Sequence, residues 1–166
     1  MSTEHAFASA LIGLACLTLA TNAYSLEPKK ASELATLIAD TSTPICPATT
    51  VPHTFSDRVL PDGTRVSFTI PLGKVFVITS YDWVIEGSTQ ANNTVWTTVA
   101  LFNGSGYVSA LASGAAADSI GRAAGNTIVS RGVVVKAGTA MCFDFVGGAN
   151  TTSSFARIHG FLAEDQ

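Results

Sequence analysis

Charged side chains are scarce in this sequence. Only 13% of its 166 residues are Asp, Glu, Lys or Arg, against roughly 25% in an average soluble domain. The nine Lys and Arg residues are spread along the chain, and the formal net charge is −3. No cluster of positive charge is available to neutralise a row of phosphates, so nucleic acid is excluded as an expected partner.

Histidine is also rare. The chain has three, at His5, His53 and His159, and no two of them are close in sequence. Metal sites in proteins combine several His, Cys or carboxylate ligands around one ion. We therefore expect no metal ion and no cofactor.

The N-terminal residues 1–23 are predicted to be a signal peptide. Residues 6–24 are uncharged, and the small residues Thr21 and Ala23 suit cleavage after Ala23. The segment before them lacks Lys and Arg, which leaves an uncleaved membrane anchor as the alternative. We expect a secreted or periplasmic protein, with a membrane as partner only if this segment is retained.

Cysteine content agrees with export. Cleavage of the predicted signal peptide, the leader, would remove Cys16 and leave Cys46 and Cys142. Two cysteines are an even number, which favours a disulfide bond in an oxidising compartment. The bond would close a loop of about 97 residues. Two buried thiols are the alternative.

The remainder of the chain predicts an all-β domain over residues 62–166. Apolar stretches rich in Val, Ile, Thr and Phe are separated by Gly, Pro, Asn and Asp. The predicted strands are residues 64–70, 74–86, 94–102, 107–112, 127–135, 139–145 and 154–162. We expect an antiparallel β-sandwich of the jelly-roll or Greek-key kind.

Two similar stretches, residues 67–79 and 132–144, support that architecture. Each has an apolar strand, a tight turn with glycine at its third position, and a second apolar strand. Gly73 and Gly138 occupy the position at which a type II turn requires positive φ. The repeat predicts two equivalent hairpins.

Residues 24–61 are predicted to precede the sandwich as a short helix and an extended strap. Leu34, Leu37 and Ile38 have helical spacing behind Ser32, a candidate N-cap. Three prolines within residues 41–57 favour extended backbone.

Catalytic chemistry has little support in the sequence. Asp82 and Glu86 would lie about 13 Å apart on a straight strand, too far for a glycosidase acid pair. The remaining candidates are Asp144, predicted on the opposite face from its two Phe neighbours and near Arg157, and His159, predicted on the same strand face as Arg157. The chain is therefore expected not to be an enzyme.

Aromatic residues offer a binding surface instead. Trp83, Trp96 and Tyr107 could present flat apolar faces to a sugar or a protein, next to the polar loops 87–93 and 147–154. Because Trp is mostly buried, at least one of the two is expected in the core.

These observations favour an exported, non-catalytic β-sandwich that binds a carbohydrate or a protein surface. One alternative is a structural jelly-roll subunit that forms homo-oligomers. The other is a hydrolase with an unmarked carboxylate site at Asp144 and Arg157.

Overall fold

A computed structural model describes residues 28–44, 46, 53–87, 92–146 and 153–166. The strands are β1 (Leu34–Asp40), β2 (His53–Thr54), β3 (Asp57–Val59), β4 (Arg65–Ser67), β5 (Lys74–Glu86), β6 (Thr94–Phe102), β7 (Tyr107–Ala116), β8 (Ala123–Lys136), β9 (Ala140–Val146) and β10 (Ser153–Glu164). Within these ranges the only helical element is one 3-10 turn, Ala31–Glu33. The predicted leader, residues 1–23, lies outside the described residues.

The strands form two antiparallel sheets. The six-stranded sheet has the order β4-β3-β1-β10-β5-β8, and the four-stranded sheet has the order β2-β9-β6-β7. The chain passes between the sheets repeatedly, for example from β5 to β6 and from β8 to β9, as it does in a jelly roll. The predicted all-β sandwich is confirmed.

The predicted N-terminal helix is wrong. Its residues form β1, which pairs with β10 on one side and with β3 on the other. Ala35, Leu37 and Ala39 all point into the core, a period of two that is weak in sequence because two of the three residues are alanine. Hydrogen bonding to two strands outweighs local helical spacing, so the sheet includes residues predicted to precede the sandwich.

The two glycine turns form as predicted, but the hairpins do not. Gly73 and Gly138 have φ of 77° and 82°, and each turn is closed by a hydrogen bond, from Lys74 N to the Pro71 carbonyl and from Thr139 N to the Lys136 carbonyl. β4 pairs with β3 rather than β5, and β8 and β9 belong to different sheets. The repeated sequences are therefore corners at which the chain changes partner strand or sheet.

The core lies between the two sheets. Its largest fully buried side chains include Trp83, Tyr81, Phe76 and Phe143. On β5 the register with β8 shifts between Ile78 and Ser80. This bulge changes which residues face outward, because Phe76 and Ile78 face the core before it, and Tyr81 and Trp83 do so after it.

The predicted disulfide is present. Cys46 is bonded to Cys142 of β9, with 5.7 Å between the two Cα atoms. Both cysteines are buried and pack against Ala100 of β6. The bond therefore fixes the segment before β2 to the four-stranded sheet.

The lowered pKa of Asp40 predicts that the free energy of unfolding falls in acid. Burial opposes its charged form, but hydrogen bonds from Ser42 and Arg65 and the Arg65 charge outweigh burial and lower the pKa of Asp40 below the ordinary 3.8. The stabilisation is present above pH 3.8 and is lost as pH falls through the lower folded pKa. In urea unfolding at a series of acidic pH values, Asp40→Asn should show a shallower loss of stability than the wild type; equal slopes would contradict this.

Candidate functional site

The sequence-predicted site residues lie on three different parts of the sandwich. Trp83 is 1% exposed and packs in the core against Gly125. Trp96, Tyr107 and Asp144 lie on the four-stranded sheet, whereas Arg157 and His159 lie on the six-stranded sheet.

Trp96 is the most exposed aromatic side chain among the described residues, at 57%. Its neighbours Val95 and Thr97 are fully buried, so Trp96 points away from the core. It pairs with Gly114 of β7, and a Cβ atom at position 114 would lie 2.7 Å from Cε3 of the indole. The indole therefore packs closely against Gly114, while more than half of the surface of Trp96 remains exposed.

Two polar groups share this outer face. Asp144 of β9 pairs with Thr98 of β6. Thr98 is two residues after Trp96 on the same strand. The hydroxyl of Tyr107, which is 40% exposed, donates to Oδ2 of Asp144 at 3.4 Å. Partial burial, the negative charge of Asp144 and this hydrogen bond raise the pKa of Tyr107. We call Trp96, Thr98, Tyr107, Asp144 and Val146 the aromatic face.

The predicted opposition between Asp144 and its Phe neighbours is observed. Phe143 is fully buried and Phe145 packs against the same core, with 5.7 Å between their ring centroids. Asp144 and Arg157 are not brought together, because the core separates the outer faces of the two sheets. The alternative of a hydrolase using that pair therefore has no geometric basis.

Arg157 and His159 share a face, as predicted, and meet at Asp82 of β5. The Nε2 atom of His159 lies 2.7 Å from Oδ1 of Asp82, and Nε and Nη2 of Arg157 lie 2.9 and 2.8 Å from Oδ2. The Thr36 hydroxyl lies 3.0 Å from Nδ1 of His159. With Nε2–H donating to Asp82, a neutral ring accepts the Thr36 hydrogen at Nδ1.

Sequence reasoning missed Thr36 and considered Asp82 only as a partner of Glu86. Thr36 was assigned to the mispredicted helix, and Asp82 is 75 residues from Arg157. The i, i+2 spacing of Arg157 and His159 was a usable signal for one half of the cluster. Their partner follows only from the pairing of β10 with β5, which places Asp82 directly opposite Arg157.

Three further findings bear on function. Within the described ranges, no group of three or more His, Cys, Asp or Glu residues could hold a metal ion. A search of those same ranges for helices finds none with the length and apolar character needed to cross a membrane. Comparison with protein-family models, curated proteins and solved structures finds no match for this chain.

Proposed function

We propose that this protein is an exported, non-catalytic carbohydrate-binding protein whose ligand stacks on the aromatic face. The observation that carries the proposal is the exposed indole of Trp96, which is supported from below by Gly114. Sugars present flat C–H surfaces that pack on aromatic rings, and hydroxyls that need donors and acceptors at the edge of the ring.

The polar groups near Trp96 fit such a ligand. The Asp144 carboxylate is an acceptor for sugar hydroxyls, and the hydroxyls of Thr98 and Tyr107 can donate or accept. Antiparallel diagonal neighbours are separated by about 7 to 8 Å, so Trp96 and Asp144 could contact a single sugar ring.

Export is supported by the Cys46–Cys142 bond, since structural disulfides persist in oxidising compartments and are rare in the cytosol. Residues 88–91 and 147–152, which make up most of the two predicted polar loops, lie outside the described residues. Their predicted part in binding stays a prediction.

Trp96→Ala should weaken binding at least tenfold, equivalent to about 1.4 kcal/mol, because the stacking surface is lost. A glycan array would identify the strongest carbohydrate, which is then titrated while tryptophan emission is followed. The protein has two Trp, of which Trp83 is buried, so the ligand should change the emission of Trp96. In Trp96→Phe that signal should disappear.

Ile128→Ala is the matched control, since Ile128 is 83% exposed but belongs to the six-stranded sheet. It should bind the sugar as the wild type does. Equal affinity for Trp96→Ala and wild type would overturn the proposal. If Trp96→Ala instead dissociates an oligomer measured by light scattering, the face is a subunit interface and the structural alternative is favoured.

A further inference from the structure

A second surface lies on the six-stranded sheet, separated from the aromatic face by the core. It is an open groove of about 650 Å³ beside β1, β3 and β10, which we call the basic groove. Its polar lining comes from Thr36, Arg58, Thr79, Arg157 and His159. Leu34, Leu60 and Pro61 provide an apolar wall, and none of the described residues that line the groove is Asp or Glu.

Asp82, the carboxylate that contacts Arg157 and His159, is not among the residues that line the groove. Asp82 is 25% exposed, and its two oxygens accept from His159 and Arg157. Arg157 also lies over the ring of Phe155, with 5.7 Å between its Cζ atom and the ring centroid. Asp82 therefore orients both the guanidinium and the imidazole, and Phe155 packs against the guanidinium.

Counting partners within the described part of the chain, hydrogen-bond donors remain on both guanidiniums. Arg157 uses Nε and Nη2 for Asp82, which leaves its Nη1 group. Arg58 uses Nη2 for the carbonyls of Ser32 and Leu34, at 3.2 and 2.6 Å, which leaves Nε and Nη1. Two arginines therefore line the same groove in a chain whose formal net charge is −3.

We propose that the basic groove binds a small organic molecule that carries a carboxylate. Arginine donors match a carboxylate in geometry and charge, and hydrogen bonds between charged groups are roughly twice as strong as neutral ones. The wall of Leu34, Leu60 and Pro61 contacts the body of the ligand. The groove volume lies within the roughly 300 to 1,000 Å³ typical of small-molecule sites.

The test compares two probes of nearly equal shape, cyclohexanecarboxylate and its neutral analogue cyclohexanecarboxamide. Chemical shifts of the protein amides are followed by NMR during titration, with glucuronate as a third probe whose body is hydroxylated. The carboxylate should shift residues around Thr36 and His159 in a saturable way. The carboxamide should bind about tenfold more weakly, because it carries no charge.

Arg157→Gln and Arg58→Gln should each weaken carboxylate binding by about tenfold. The second variant leaves the Asp82 cluster intact, so it tests the groove even if Arg157→Gln unfolds. Arg131→Gln removes the same charge from β8, outside the groove, and should bind as the wild type does. Trp96→Ala should also leave binding unchanged, which separates this site from the aromatic face.

Equal affinity for the carboxylate and the carboxamide would overturn the proposal. So would equal weakening by Arg131→Gln, which would indicate non-specific attraction. Absence of saturable shifts up to about 20 mM of either acid, a range that still detects very weak ligands, would also overturn it. Glucuronate binding more tightly than cyclohexanecarboxylate would support the site and assign it to hydroxylated acids.

Discussion

Reduction of the Cys46–Cys142 bond should lower the free energy of unfolding by about 4 to 5 kcal/mol. The cysteines are 96 residues apart, and in the chain-entropy model a loop of that length confers this stabilisation by restricting the unfolded chain. For a domain of this size, each kcal/mol shifts Tm by roughly 2 to 4 °C. The reduced protein should therefore melt well below the oxidised protein in differential scanning calorimetry.

The double variant Cys46→Ala, Cys142→Ala provides the control. It should melt near the temperature of the reduced wild type, and reductant should not change its Tm. Both bonded cysteines are buried, so the protein must be unfolded for complete reduction and then refolded before the measurement. A wild-type protein whose Tm is the same with and without complete reduction would show that the segment before β2 is held by packing alone.

The strands were predictable where burial alternates strongly or the apolar run is long. β5 and β6 match the predicted ranges at both ends, because their apolar residues are bounded by clear turn residues. β1 was not predictable, since its core-facing residues include two alanines and its remaining apolar residues have helical spacing. What makes it a strand is hydrogen bonding to β10, more than 100 residues later in the chain.

The repeated glycine turns show a related limit. Local sequence determined the conformation of Gly73 and Gly138, which depends on four consecutive residues. It did not determine which strands pair, because a turn of the same type can close a hairpin or lead the chain to another sheet. In β8 and β9 the second outcome holds.

For the candidate sites, the sequence predicted which side chains of a single strand share a face. Alternation placed Arg157 with His159, and Asp144 opposite Phe143 and Phe145. It could not decide which Trp is exposed, because the inward face of each strand depends on its position in the sandwich and, in β5, on the bulge after Ile78. Contacts between distant strands, such as Asp82 with His159, require the register of the sheet.

At Gly160 of β10 the backbone lies very close to β5. Gly160→Ala should therefore destabilise the protein by about 3 kcal/mol. A Cβ atom there would lie 2.1 Å from the Val77 carbonyl oxygen and 2.8 Å from Cζ of Phe76. Phe76 is fully buried, and the carbonyl belongs to the adjacent strand, so neither can move without separating β10 from β5. Overpacking of this kind typically costs about 1 to 3 kcal/mol, and backbone contact places this case at the upper end.

Gly160→Ala should also alter the basic groove, because Gly160 directly follows His159 at the β-bulge. A shift of β10 there would move the imidazole away from Asp82 and Thr36. Urea unfolding gives the stability, and Gly106→Ala is the matched control, since a Cβ atom at 106 would meet no heavy atom of the described residues within 4 Å. The control should stay within about 0.5 kcal/mol of wild type. If Gly160→Ala is equally stable, the two strands can separate at the bulge at little cost, and the position of His159 would not depend on their close approach.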